Sequence, residues 1–289
     1  MINFTFPNFI NSTKINDYFS YISTQKPYYL KTPIGINHIS GGLPFTLWNG
    51  GVNSSLIGNL LKNEQIDNIF KTTHSSIRLN FANLFITNED FYNNYCRLIL
   101  EYGNNGSTVI EITNLNLYSY IKDNYRNYNK FILSPNAWCM KDLTPEELNA
   151  ICENDDFYLI SLPPYLSNNF EYIEQIQQKN KIEITVNPRC PLTCKNYQNC
   201  WLSESKKQYD FSGNSNIISC NNRLMYNNKN QVITMEDIKT KYLPKGITHF
   251  KIEECYPFSE NELLLFLVHY FIKEEYQQEV IENFIMNPR

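Results

Sequence analysis

Four cysteines are spaced C-x3-C-x5-C-x19-C at Cys190, Cys194, Cys200 and Cys220, directly after a segment, Ile182–Val186, that reads as a β-strand. Thiolates bind soft metals, and four of them on loops can enclose a tetrahedral zinc or an iron–sulfur cluster. Only the Cys190–Cys194 pair has the short spacing of a zinc knuckle, and a cluster tolerates the wide interval before Cys220 more easily. The C-x3-C-x2-C pattern of radical enzymes is absent, because Cys200 comes three residues too late. A 4Fe–4S cluster and a zinc ion both stay open on the residues alone, as does a set of thiols without metal. Cys96, Cys139 and Cys152 read instead as small buried hydrophobes. Cys255 follows a predicted strand and is a candidate for a further ligand.

Charged residues on apolar strands form the second group. Arg78 alternates with Asn80 on Ser76–Phe81, so the two share one strand face. Glu111 lies on Thr108–Thr113, and Lys251 and Glu253 lie on Thr248–Glu253. A buried arginine is costly without a partner, so pairing of Glu111 and Glu253 with Arg78 or Lys251 is expected. The alternatives are an anion or substrate anchor at Arg78 and proton transfer by a carboxylate. Arg78, Glu111, Lys251 and Glu253 are therefore the candidate catalytic residues. The histidines show no HExxH or similar metal spacing; His269, in an apolar helix, is expected in the core. Trp48-Asn49-Gly50-Gly51 reads as a turn with one anchoring aromatic.

These residues need elements to position them. Strands of five or six residues are predicted at 76–81, 108–113, 130–134, 157–162, 182–186 and 248–253, alternating with helices. One or two more are expected in the N-terminal part or near 217–219. Helices are predicted at about 54–70, 88–102, 115–125, 144–153, 170–178, 235–242, 259–273 and 275–284. Thr144-Pro145-Glu146-Glu147 carries an N-cap, a first-turn proline and a capping-box glutamate. Such alternation implies βαβ units and a parallel sheet. No glycine-rich phosphate loop follows a first strand, which favours an α/β fold of TIM type, a (βα) barrel that need not be complete or regular, over a doubly wound sheet. One domain is expected over 1–289, with an irregular part at 1–53, a cysteine-rich insert at 188–222 and C-terminal helices at 259–286. In such a barrel, loops after strands lie on the catalytic face, where the cysteines would fall.

The 289 residues are 42% hydrophobic, which excludes a mostly disordered chain. A net charge of −4 gives no strong nucleic-acid signature. The longest apolar run, 263–272, is too short for a bilayer, which needs roughly 20 residues. With no basic leader at the start, a cytoplasmic protein with no membrane association is expected. Thiols stay reduced there, so metal-binding, catalytic or simply buried cysteines are favoured over disulfides.

Two stretches carry a family resemblance. IEITVNPRCPLTC (182–194) and GITHFKIEE (246–254) resemble motifs of peptidase family U-thirty-two, the collagenase-like protease superfamily. SIRLNFANLFITNEDF (76–91) is similar to an uncharacterised branch of it, and the resemblance spans about 45–286. It implies a barrel with a 4Fe–4S cluster on Cys190, Cys194, Cys200 and Cys220, with Cys200 standing where the close branch has histidine. It also implies oxygen-independent hydroxylation, or another modification, of a small-molecule or RNA substrate, with an electron donor or partner subunit. Peptidase activity is not expected, since no nucleophile triad is visible. Glu254-Cys255 replaces the family's Gly-Arg, removing an arginine that could hold a carboxylate substrate. The contrasting expectation is a non-catalytic accessory or binding protein with a structural zinc site made of the same four cysteines.

Overall fold

The computed structural model describes residues 1–10, 12–50, 60–73, 76–188, 194, 196–210, 232–253 and 260–286. Eight parallel strands close into a barrel in chain order: β1 (Ile2–Pro7), β2 (Ile34–Gly41), β3 (Ser76–Phe81), β4 (Val109–Ile112), β5 (Phe131–Leu133), β6 (Phe157–Ser161), β7 (Ile182–Thr185) and β8 (His249–Lys251). Closure is made by β8 on β1, with Asn3 opposite His249 and Thr5 opposite Lys251. A doubly wound sheet is thereby excluded. Helices intervene: α1 (Thr13–Gln25), α2 (Asn63–Thr72), α3 (Asn94–Gly103), α4 (Leu115–Asn124), α5 (Ala137–Met140), α6 (Pro145–Cys152), α7 (Pro164–Ser167), α8 (Phe170–Glu174), α9 (Tyr197–Asp210) and α10 (Met235–Asp237). Two helices, α11 (Glu260–Phe271) and α12 (Glu274–Met286), end the described chain.

The six predicted strands are all present, shortened at their ends in most cases. The first 53 residues, expected to be irregular, supply β1, α1 and β2. The predicted strand near 217–219 and the helix start at 54 lie outside the described residues; the helix there is described from Asn63.

Alternation along each strand separates two environments. Phe4, Phe6 and Phe250 are fully buried and face the helices. Phe4 meets Phe271 of α11 at 4.8 Å between ring centroids, and Phe6 meets Phe19 of α1 at 5.9 Å. Such tilted and edge-on pairs add stability beyond their area burial. The inward positions differ: a small apolar cluster of Val109, Ile132 and Leu159 sits apart from the main core, and charged side chains occupy the next layer. On β1 and β2 the register shifts between Phe4 and Thr5, so His38 rather than Asn37 lies opposite Thr5. A bulge of this kind re-aims side chains.

Local sequence explains the helix ends. Thr144 Oγ1 accepts from the Glu147 N–H at 3.3 Å, and Glu147 Oε2 accepts from the Thr144 N–H at 3.0 Å. Thr144→Ala is expected to cost about 1 kcal/mol, read as a lower urea midpoint. Helix α11 buries Leu263, Leu264, Leu267, Val268, Tyr270 and Phe271. His269 is not in the core as expected; it is exposed, with Nδ1 at 3.0 Å from Gln277 Oε1, because it falls on the helix's outer face. No helix among the described residues is long and apolar enough to cross a membrane.

Candidate functional site

A chain of charged hydrogen bonds fills the barrel. Arg78 of β3 is fully buried. Its Nε donates to Glu111 Oε2 of β4 at 2.9 Å. Its Nη1 donates to both carboxylate oxygens of Glu183 on β7, at 2.8 and 2.7 Å, and Nη2 donates to Ser161 Oγ of β6 at 2.9 Å. Thr5 Oγ1 of β1 and Ser161 Oγ also donate to Glu183. Lys251 Nζ of β8 donates to Glu111 Oε2 at 3.0 Å. Two cations and two carboxylates thus form one closed set whose formal charges cancel, held by strands from all round the barrel.

The electrostatics follow from that geometry. Burial alone would raise the Glu183 pKa, but Arg78, then Lys251 and the Ser161 hydroxyl, override it and hold the carboxyl down at about 2. Glu111 is likewise depressed, since Arg78 and Lys251 outweigh its burial. Arg78 is raised: its burial, which opposes the charge, is overcome by Glu111 and Glu183.

Expected pairing of Arg78, Lys251 and Glu111 is therefore present. The second acidic partner of Arg78 is Glu183, not Glu253. Glu253 lies beyond the end of β8, and its backbone N–H donates to Asn187 Oδ1 at 2.8 Å. Glu183 sits mid-strand on the inner face, level with the guanidinium. It is absent from the residues singled out by sequence, although it carries the same signal as Glu111, a carboxylate on an apolar strand. Thr5 and Ser161 give no signal, because small hydroxyl residues are ordinary on strands.

Above the charged layer, the C-terminal ends of the strands enclose a narrow cavity. Asn8, Ser40, Gly50, Asn80, Glu111, Ser134, Asn136, Trp201, Lys251 and Glu253 are among its lining. Its free volume is about 50 Å³, room for a few waters. Helix α9 is tied to the loops around this mouth. Asn83, just after β3, donates to the carbonyls of Asn49 at 3.0 Å and Ser205 at 3.1 Å. Gln198 Nε2 donates to the Trp138 carbonyl at 3.0 Å, and Tyr209 to Asp90 at 3.1 Å. The Trp48 segment is an anchor: its indole is buried and donates to the Asp90 carbonyl at 3.0 Å. Gly50 is needed there, since a Cβ would sit 2.1 Å from the Ala82 carbonyl oxygen.

Of the predicted metal ligands, Cys194 and Cys200 are described. Cys194 is half-buried, and Cys200 is buried on the first turn of α9, beside Trp201. Cys190 and Cys220 lie outside the described residues, as does Cys255. Among the described residues, no group of three or more His, Cys, Asp or Glu is placed to hold a metal. Cys96 and Cys152 are buried, and burial pushes the Cys96 thiol up to about 12, as suits a packing residue.

Fold and site together define the class: a closed eight-stranded parallel α/β barrel of TIM type with a charged interior and a polar mouth. No protein-family model, no curated protein and no solved structure matches the chain.

Proposed function

We propose that this barrel holds a 4Fe–4S cluster on Cys190, Cys194, Cys200 and Cys220 beside a substrate pocket at its mouth. On this reading it acts as a U-thirty-two-like enzyme in oxygen-independent hydroxylation, or another modification, of a small-molecule or RNA substrate. The observation that carries the reading is α9. It supplies Cys200 and the mouth residue Trp201 in succession, and hydrogen bonds fix it to the loops after β3 and β5. Two cysteines six positions apart, one before the helix and one on its first turn, suit a soft-metal donor set. A bound cluster would supply one-electron chemistry or a Lewis-acidic iron. The chain's own part is to present the Lys251 ammonium at the mouth and to keep Glu111 ionised beneath it.

Protein purified without oxygen is expected to be brown and to carry iron and acid-labile sulfide in equal amounts, near four of each per chain. Colourless protein with one zinc per chain would favour a structural four-cysteine site in an accessory or binding protein. Colourless, metal-free protein whose melting is unchanged by Cys190→Ala overturns both. Cys255→Ser should leave the metal content intact.

A further inference from the structure

We propose that α9 is a lid over the barrel mouth, held shut by polar contacts and released as a unit to admit substrate. The proposal rests on reading the mouth as a ligand site and not on the cluster. With α9 in place the mouth is closed. Trp201 of α9 is part of the cavity lining, and a free volume of about 50 Å³ has room for a few waters but for no organic substrate. Lys251, which also lines the cavity, is buried.

The contacts that hold α9 differ from those of the other long helices. Helix α11 buries Leu263, Leu264, Leu267 and Val268. The buried face of α9 carries Cys200, Glu204, Ser205 and Gln208 instead, at the three- and four-residue intervals of one helix face. Tyr197, 5.7 Å from Tyr165 between ring centroids, is the only aromatic side chain buried on α9 among the described residues. The described ties to the barrel loops are hydrogen bonds from side chains. Asn83 donates to the Ser205 carbonyl, Gln198 to the Trp138 carbonyl and to Asp142 Oδ1 at 2.8 Å, and Tyr209 to Asp90. Water replaces such bonds at small net cost, whereas exposing an apolar face forfeits its whole burial. Ser205 Oγ is buried with no hydrogen-bond partner among the described residues, a cost of the closed state that opening removes. Elements held in this way belong to the low-stability end of a fold, from which lids are drawn.

Hydrogen exchange read by mass spectrometry on the full-length protein is expected to show the amides of α9 protected at least ten-fold less than those of α11. Gln198→Ala removes two of the ties and should speed α9 exchange about ten-fold, leaving α11 unchanged. Lys251 reports on access to the mouth. Its acetylation by N-acetoxysuccinimide, followed by peptide mass, should accelerate by the same factor as α9 exchange. If Gln198→Ala does not fold, Asn83→Ala, which removes the tie to Ser205, provides both readouts. Protection of α9 equal to that of α11, a variant that speeds α11 as much as α9, or Lys251 acetylation unchanged while α9 exchange rises would each overturn the proposal. Weakly protected α9 in colourless, metal-free protein removes the cluster and keeps the lid; brown protein with α9 as protected as α11 does the reverse.

Discussion

Replacing Arg78 with methionine is expected to cost the fold about 3–5 kcal/mol, the penalty for leaving buried charge without its partner. The guanidinium is the hub of the interior set. Without it, among the described residues, Glu183 keeps only the hydroxyls of Thr5 and Ser161 as short-range donors, and Glu111 keeps only Lys251. Glu183 is buried and lies outside the cavity lining, so solvent cannot take over there, whereas Glu111 borders the cavity. Lys251→Met should be milder, because Glu111 would retain Arg78 and because Lys251 faces the mouth. Urea titrations at neutral pH measure both. A cost below about 1 kcal/mol for Arg78→Met, the size of a surface pair's contribution, would show that the set is not held together as described.

The second large effect is on pH dependence. His38 is buried, and burial, then the nearby Arg78, pushes its pKa down to about 3. Its surroundings explain why it stays neutral. Ser76 Oγ donates to the Ser107 carbonyl, so it accepts from His38 Nδ1–H, at 3.0 Å. That leaves Nε2 as an unprotonated, buried atom with no partner among the described residues. Arg78, His249 and Lys130 oppose a positive charge there and, with burial, outweigh Glu183, which favours it. The folded pKa lies below the unfolded value of about 6.5, so the unfolded chain binds the extra proton between them. The contribution of His38 is complete above about pH 6.5 and is lost as pH falls toward about 3, at about 1.4 kcal/mol per pH unit through most of that window. His38→Gln should flatten the fall in urea midpoint between about pH 7 and about pH 5. Parallel profiles for the two proteins would contradict this account.

The barrel was legible because six short apolar strands alternate with helical segments and because no phosphate loop intervenes. β1 and β2 were hidden for local reasons. β2 carries Gly35, Asn37 and His38 on a segment that begins just after Pro33, a composition that reads as turn. Its bulge also breaks the period-two pattern that would have assigned His38 to the inside. Arg78, Glu111 and Lys251 stood out as charges among β-branched and aromatic neighbours. Asn136 and Trp201 could not stand out in the same way. They come from α5's N-terminal flank and from α9, and only the closed barrel brings those segments to one mouth.

The cancelling quartet also constrains how this sequence can drift. A neutral exchange at any one of Arg78, Glu111, Glu183 or Lys251 strands an opposite charge in the interior, so single steps are selected against. Substitution at these sites should therefore arrive in pairs, one cation with one carboxylate, or as wholesale conversion to aliphatic packing. In an alignment of true relatives the four columns would covary across strands distant in sequence, and that correlated signature offers a means of finding kin too diverged for ordinary similarity.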